Sequence, residues 1–165
     1  MQNRLWFLLI FLFSLVLVGC QTTTTHYLGA KADEVDVVSL AAGQVDQQRW
    51  EDLYVTVDYS YARQGNRFDI DGALSFSDSS KINFSRVRDM KLKLFLLDKD
   101  MRVVDYLDIA RTLSVSLDDE TTFARTLELR ETVVAFAFGY EGSFRDDDPE
   151  SPSSEQVWKL PKRKF

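Results

Sequence analysis

About seven short runs in which apolar residues alternate with polar ones, separated by turn signals, predict an all-β protein built as a single antiparallel sandwich. Twelve phenylalanines, three of them within the first 19 residues, provide side chains large enough to fill the space between two sheets. A chain of 165 residues has room for one domain with a substantial core and little room for two.

Leu53, Val55, Val57, Tyr59 and Tyr61 fall on one face of the first clear strand, with Tyr54, Thr56, Asp58 and Ser60 on the other. Gln64-Gly65-Asn66 makes a turn, and Phe68, Ile70, Leu74 and Phe76 then alternate inward against Asp69, Asp71, Ser75 and Ser77, so the pair reads as an antiparallel hairpin. Met90, Leu92, Leu94 and Leu96 continue the period with Lys91 and Lys93 on the opposite face, and Asp98-Lys99-Asp100 turns the chain into residues 101–107. Leu113, Val115 and Leu117 form a separate short set, followed by Phe123, Leu127 and Leu129 and then by Val134, Phe136, Phe138 and Tyr140. Residues 141–154 collect the late turn signals and read as an exposed loop, after which residues 157–161 return as an edge strand closed by Pro161. Residues 32–50 are mixed: Val35, Val37, Val38 and Leu40 fit a short strand, residues 41–50 fit a helical turn, and the pattern does not decide between them.

Met1-Gln2-Asn3-Arg4 is a short positive leader, and residues 5–18 are apolar apart from Ser14, the layout of a secretory signal. This run falls short of the roughly 20 apolar residues that a spanning helix needs. It ends in Leu17-Val18-Gly19-Cys20, with the chain's only cysteine, and this stretch resembles the lipobox of bacterial lipoproteins. The resemblance implies cleavage before Cys20, a diacylglycerol on its sulfur and an acyl chain such as palmitate on its amine, with no other cofactor. Gln21 in place of aspartate implies sorting to the outer membrane, on its periplasmic side, with surface exposure left open. Two or three acyl chains hold a protein on a bilayer essentially permanently. Gln21-Thr22-Thr23-Thr24-Thr25 reads as a flexible tether. The expected organisation is a signal peptide over 1–19, the lipidated cysteine and tether over 20–51, a sandwich core over 52–141, and an acidic loop, edge strand and basic tail over 142–165.

From Asp71-Gly72 to Phe123 the chain resembles the small extracellular sandwich family known as FxLYD, within the wider immunoglobulin-like group. Leu94-Phe95-Leu96-Leu97-Asp98-Lys99-Asp100-Met101-Arg102-Val103-Val104 and Asp118-Asp119-Glu120-Thr121-Thr122-Phe123 carry the resemblance. Leu97 stands where a tyrosine is usual and Met101 where a glycine is usual. The likeness implies an immunoglobulin-like arrangement of the sandwich and no activity.

The formal net charge is −6, and removing residues 1–19 takes away Arg4 and no acid, leaving −7. That acidity argues against nucleic acid as a partner and against broad adhesion to anionic lipid. With Cys20 acylated, no disulfide and no thiolate remain. His26, the only histidine, lies in the tether, where no scaffold holds it for nucleophilic catalysis, and common zinc sites need several His or Cys ligands. Asp146, Asp147, Asp148 and Glu150, and Asp98 with Asp100, offer hard oxygen ligands but lack the glycine-spaced pattern of a calcium loop, so they read as solvated charge. Lys159, Lys162, Arg163 and Lys164 read as a solvated basic terminus ahead of a contact with lipid head groups or an acidic partner, and Trp50 and Trp158 as packed lids on the sandwich ahead of aromatic surface exposed to a partner. The expectation is a non-catalytic binding, assembly or structural module, attached to the membrane by lipid and meeting an envelope protein partner. The alternatives are a small periplasmic hydrolase or metal-dependent enzyme using the carboxylates of residues 146–150, and a ligand carrier or adhesin with an open cavity between the sheets.

Overall fold

Alternation along β3 (Val55–Gln64) and β4 (Arg67–Phe76) produces the expected hairpin, in register from Val55 opposite Phe76 to Gln64 opposite Arg67. Gly65 has φ +63° in the first of the two loop positions, a conformation that costs glycine nothing and that suits the right-handed twist of the flanking strands. The computed structural model describes residues 27–146 and 153–162.

Among the described residues, nine strands form two antiparallel sheets. Sheet 1 holds β1 (Val37–Ser39), β5 (Arg86–Leu97), β6 (Val103–Ser116), β8 (Ala135–Asp146) and β9 (Ser153–Lys159). β8 pairs with β5 along one edge, and shares its other edge between β1 at residues 135–137 and β9 at residues 140–146. Sheet 2 has the order β2-β3-β4-β7, where β2 is Gly43–Glu51 and β7 is Thr121–Glu128. The chain crosses between the sheets from β1 to β2, from β4 to β5, from β6 to β7 and from β7 to β8, so both halves of the sandwich are tied together. The crossing from β4 to β5 uses a short helix, α1 (Asp78–Asn83), capped by Ser77, whose Oγ accepts from the Ser80 amide at 3.2 Å.

Between the sheets the aromatic side chains meet edge to face. Tyr59 stands 4.9 Å from Phe138, Tyr61 5.5 Å from Phe136 and Phe76 5.8 Å from Phe144, centroid to centroid. Val57, Phe68, Ile70, Leu74, Leu92 and Leu94 are buried around them.

A second, smaller core covers the outer face of sheet 1. Phe95 and Leu97 of β5 and Ala135 and Ala137 of β8 point away from the sandwich interior, yet all four are buried, because residues 27–32 cross over them with Ala30 and Ala32 facing down. The Tyr27 ring packs edge-on to Phe95 and to Tyr106.

The structure corrects several expectations. Residues 41–50 are not helical; β2 runs through them, and residues 34–36 form one 3-10 turn. The sheets extend beyond residues 52–141 on both sides, since β1 and β2 precede this span and β8 continues to Asp146, which moves residues 141–146 from loop to strand. β6 is continuous over residues 103–116, so Leu113 and Val115 are not a separate strand, and Leu113 is exposed. Leu53 is 60% exposed because it precedes β3 in the turn between β2 and β3. Val134 likewise lies just ahead of β8 and is exposed. Lys93 does sit on the outer face, but it is buried, for a reason that belongs to the charged clusters below.

Truncating Leu94 or Phe136 to alanine should cost about 2–5 kcal/mol in a urea melt, whereas Leu53→Ser should stay within about 0.5 kcal/mol. Gly139→Ala should lower the midpoint even though alanine usually outperforms glycine inside a strand. Its Cβ would lie 2.5 Å from the Lys159 carbonyl oxygen and 2.7 Å from the Phe95 ring, and backbone cannot rotate away.

Candidate functional site

β1 and β9 leave a gap between them along the edge of β8, and a groove of about 830 Å³ opens there. Tyr27, Lys31, Val35, Trp158, Leu160 and Lys162 line it, together with Asp36, Phe138 and Lys159. Trp158 is 66% exposed, since Val157 takes the inward position and alternation sends its neighbour to the outer face.

A charged network lies beside the groove. The Lys159 ammonium is 2.9 Å from an Asp36 oxygen and 3.0 Å from an Asp52 oxygen. Trp50 Nε1 donates to Asp36 at 3.1 Å, the Tyr140 hydroxyl donates to Asp52, and Lys159 Nζ stands 5.5 Å from the Trp50 ring centroid. One lysine thereby ties β9 to the 3-10 turn and to the turn between β2 and β3. Burial alone would raise Asp52, but hydrogen bonds from Tyr140 and Lys159 outweigh it and hold the carboxyl below its ordinary value. Burial would lower Lys159, and hydrogen bonds to Asp36 and Asp52 outweigh that and hold the ammonium above its ordinary value. Burial, then the bond to Asp52, push the Tyr140 hydroxyl upward, so it stays a donor at neutral pH.

A second cluster occupies the outer face of sheet 1. Lys93 Nζ lies 2.7 Å from Asp108 and 3.1 Å from Glu141, under the Tyr27 ring at 5.9 Å. Its side chain is only 7% exposed because Tyr27 covers it, and two carboxylates offset the burial. Period-two alternation placed Lys93 on the outer face and could not reveal that another segment covers that face.

The other candidate residues are dispersed. Leu17, Val18, Gly19, Cys20, Gln21 and His26 lie outside the described residues, as do Asp147, Asp148, Glu150, Arg163 and Lys164. Asp146 ends β8, where its carboxylate accepts from the Ser85 hydroxyl at 2.6 Å. One oxygen of Asp98 accepts from the backbone amides of Asp100 and Arg102, both at 2.9 Å, closing the turn between β5 and β6. Met101 takes a left-handed φ of +58° there, and its side chain packs on the second core. Lys159 and Lys162 are not a loose terminus: the first is held by two acids, and the second exchanges backbone hydrogen bonds with Lys31. Trp50 and Trp158 are not a matched pair of lids, since Trp50 is buried against Phe138 and Tyr140 and Trp158 faces out. Among the described residues, no three His, Cys, Asp or Glu side chains form a metal-binding group.

Comparison with protein families, with curated proteins and with solved structures found no match to this chain.

The network gives a pH dependence of defined sign. A depressed carboxylate contributes stability above its unfolded value and loses it as pH falls through the folded one; a raised lysine contributes below its unfolded value and loses it as pH rises through the folded one. Asp52→Asn and Lys159→Met should each lower stability at pH 7, by about 2 kcal/mol, less than the roughly 3–5 kcal/mol of a fully buried pair. The deficit against wild type should stay flat through neutral pH and narrow below about pH 4 and above about pH 10.4, as read from denaturant midpoints across pH.

Proposed function

We propose that this chain is a bacterial outer-membrane lipoprotein, held through acylated Cys20 on the periplasmic side, whose FxLYD-like sandwich is a non-catalytic binding, assembly or structural module serving an envelope protein partner. The observation that carries the reading is the way the domain is mounted. Six residues separate Cys20 from Tyr27, and from Tyr27 onward the chain is already part of the fold. Gly29 and Ala32 donate to the carbonyls of Val103 and Met101 on one side, and Lys31 donates to Lys162 on the other. An anchor at Cys20 would therefore hold the sandwich by an integrated segment and not by a loose end.

Support for a non-catalytic role comes from the state of the charged groups. Beside the groove Lys159 is matched by Asp36 and Asp52, on sheet 1 Lys93 is matched by Asp108 and Glu141, and Asp98 is committed to its own turn. Groups so engaged serve cohesion, and a surface that keeps its shape suits a docking module.

Cys20→Ser should move the protein from the membrane fraction to the soluble fraction, and Gln21→Asp should shift it from outer to inner membrane on a density gradient. A Cys20→Ser protein that still fractionates wholly with membranes would contradict the lipoprotein reading.

A further inference from the structure

The segment that leads back to Cys20 crosses one particular face of the domain, the outer face of sheet 1, and the exposed residues around it have an unusual composition. Leu28, Val35 and Trp158 are among the few large apolar side chains left exposed, Val35 at 83% and Trp158 at 66%. Val35 and Trp158 share the groove with Lys31 and Lys162, and Leu28 adjoins Tyr27, which lines it too. Lys31 lies directly opposite both Arg102 and Lys162 through isolated backbone bridges, so three cationic residues stand abreast on adjacent segments. Opposed like charges disfavour pairing, and two of the three are already engaged within the domain, Lys31 by Glu34 and Arg102 by the Gly29 carbonyl at 3.1 Å, which leaves Lys162 as the most available of the row.

We propose that this face docks on the bilayer surface that the Cys20 lipid enters, with Trp158, Val35 and Leu28 at the acyl boundary and Lys31, Arg102 and Lys162 against anionic head groups. The inference rests on the lipid-anchored reading. Seven peptide steps from Cys20 to Tyr27 reach at most about 25 Å, so this face stays near the membrane whatever else the domain does. Exposed tryptophan and short aliphatic groups beside lysine and arginine are the side chains that settle in a head-group region. Acids limit the attraction. Glu34 pairs with Lys31 at 3.2 Å, Asp33 and Asp100 are exposed nearby, and Asp98 is turned into its hairpin. A free domain would therefore bind such a surface weakly, but a short tether supplies an effective concentration on the order of millimolar, and the contact has only to orient the domain. The opposite face is of different character: the four strands of sheet 2 contain no lysine, and its outer side carries Asp58, Asp69 and Asp71, the first two paired with Arg49 and Arg67. Docking by sheet 1 presents that acidic face away from the bilayer, toward envelope proteins.

The test uses the lipidated protein reconstituted into vesicles of phosphatidylethanolamine and phosphatidylglycerol, with and without brominated acyl chains, compared with Trp158→Phe, which retains Trp50. Brominated lipid should quench the wild-type emission and leave the Trp158→Phe emission unchanged. Replacing Lys31, Arg102 and Lys162 together by glutamine should reduce the quenching while the melting temperature shows that the fold persists. Equal responses of wild type and Trp158→Phe, in protein that floats with the vesicles, overturn the docking alone. Protein that does not float overturns the anchored reading, and the docking with it. A photocrosslinking residue at Leu28 that captures a protein instead of lipid in intact cells assigns the face to a protein partner and also overturns the proposal.

Discussion

Leu94-Phe95-Leu96-Leu97 can bury both of its faces only if something covers the outer side of sheet 1, and residues 27–32 are that cover. Leu94 and Leu96 meet the sandwich interior, whereas Phe95 and Leu97 meet Ala30, Ala32 and Tyr27 outside it. Much else follows from this second burial. Once Tyr27 lies over the sheet, Lys93 beneath it loses water, and a buried ammonium is tolerable only with acids at hydrogen-bond distance, which Asp108 and Glu141 provide. Once residues 27–32 continue into the turn at 34–36, Asp36 is carried in toward Trp50, and Lys159 balances it together with Asp52. Three layers, two sheets and a covering strap, are thus joined by packing in the middle and by ion pairs at the margin.

The same strap couples architecture to function. It is bonded to residues 101–103 on one edge and to residue 162 on the other, so the segments at both ends of the described chain close together over sheet 1. Under the proposed anchoring at Cys20, load would pass first into this strip and from there into β6 and the second core. At the edge of sheet 2, β2 carries an irregularity between Val45 and Gln48, with Gln47 at φ +51°, which interrupts the regular row of backbone groups that another strand would need. β9 keeps unbroken register with β8 and presents Trp158 instead. Contacts are therefore discouraged at one edge and open at the groove.

What was legible in the sequence and what was not divides along physical lines. Alternation is a one-strand property, so Val57, Tyr59, Phe68, Ile70, Leu92, Leu94, Phe136 and Phe138 could be placed inward from sequence, and all are buried. Coverage of an outer face is a tertiary property. The unbroken apolar runs at 94–97 and 135–138 were its trace, because a sheet that is wet on one side has no reason to carry Phe95 or Leu97 outward. α1 had a signal of its own, Ser77-Asp78-Ser79-Ser80, in which the first serine is a capping residue, but six residues are too few for a helical period to register. β2 reads as helix or strand because Gln44, Gln47 and Gln48 suit either, and only its pairing with β3 decides. The role of Lys159 was hidden because its partners Asp36 and Asp52 are more than a hundred residues away in sequence. The groove has no sequence signature, being the space left between two strands that share one edge of β8.

The central claim is that residues 27–32 belong to the cooperative fold and are not the last stretch of a tether. Native-state hydrogen exchange of the Gly29, Lys31 and Ala32 amides tests it most directly, since these donate to Val103, Lys162 and Met101. The account predicts that they exchange only through global unfolding, with the same dependence on denaturant as amides of β5 and β8. Rapid exchange of these three amides while β5 and β8 remain protected would contradict it.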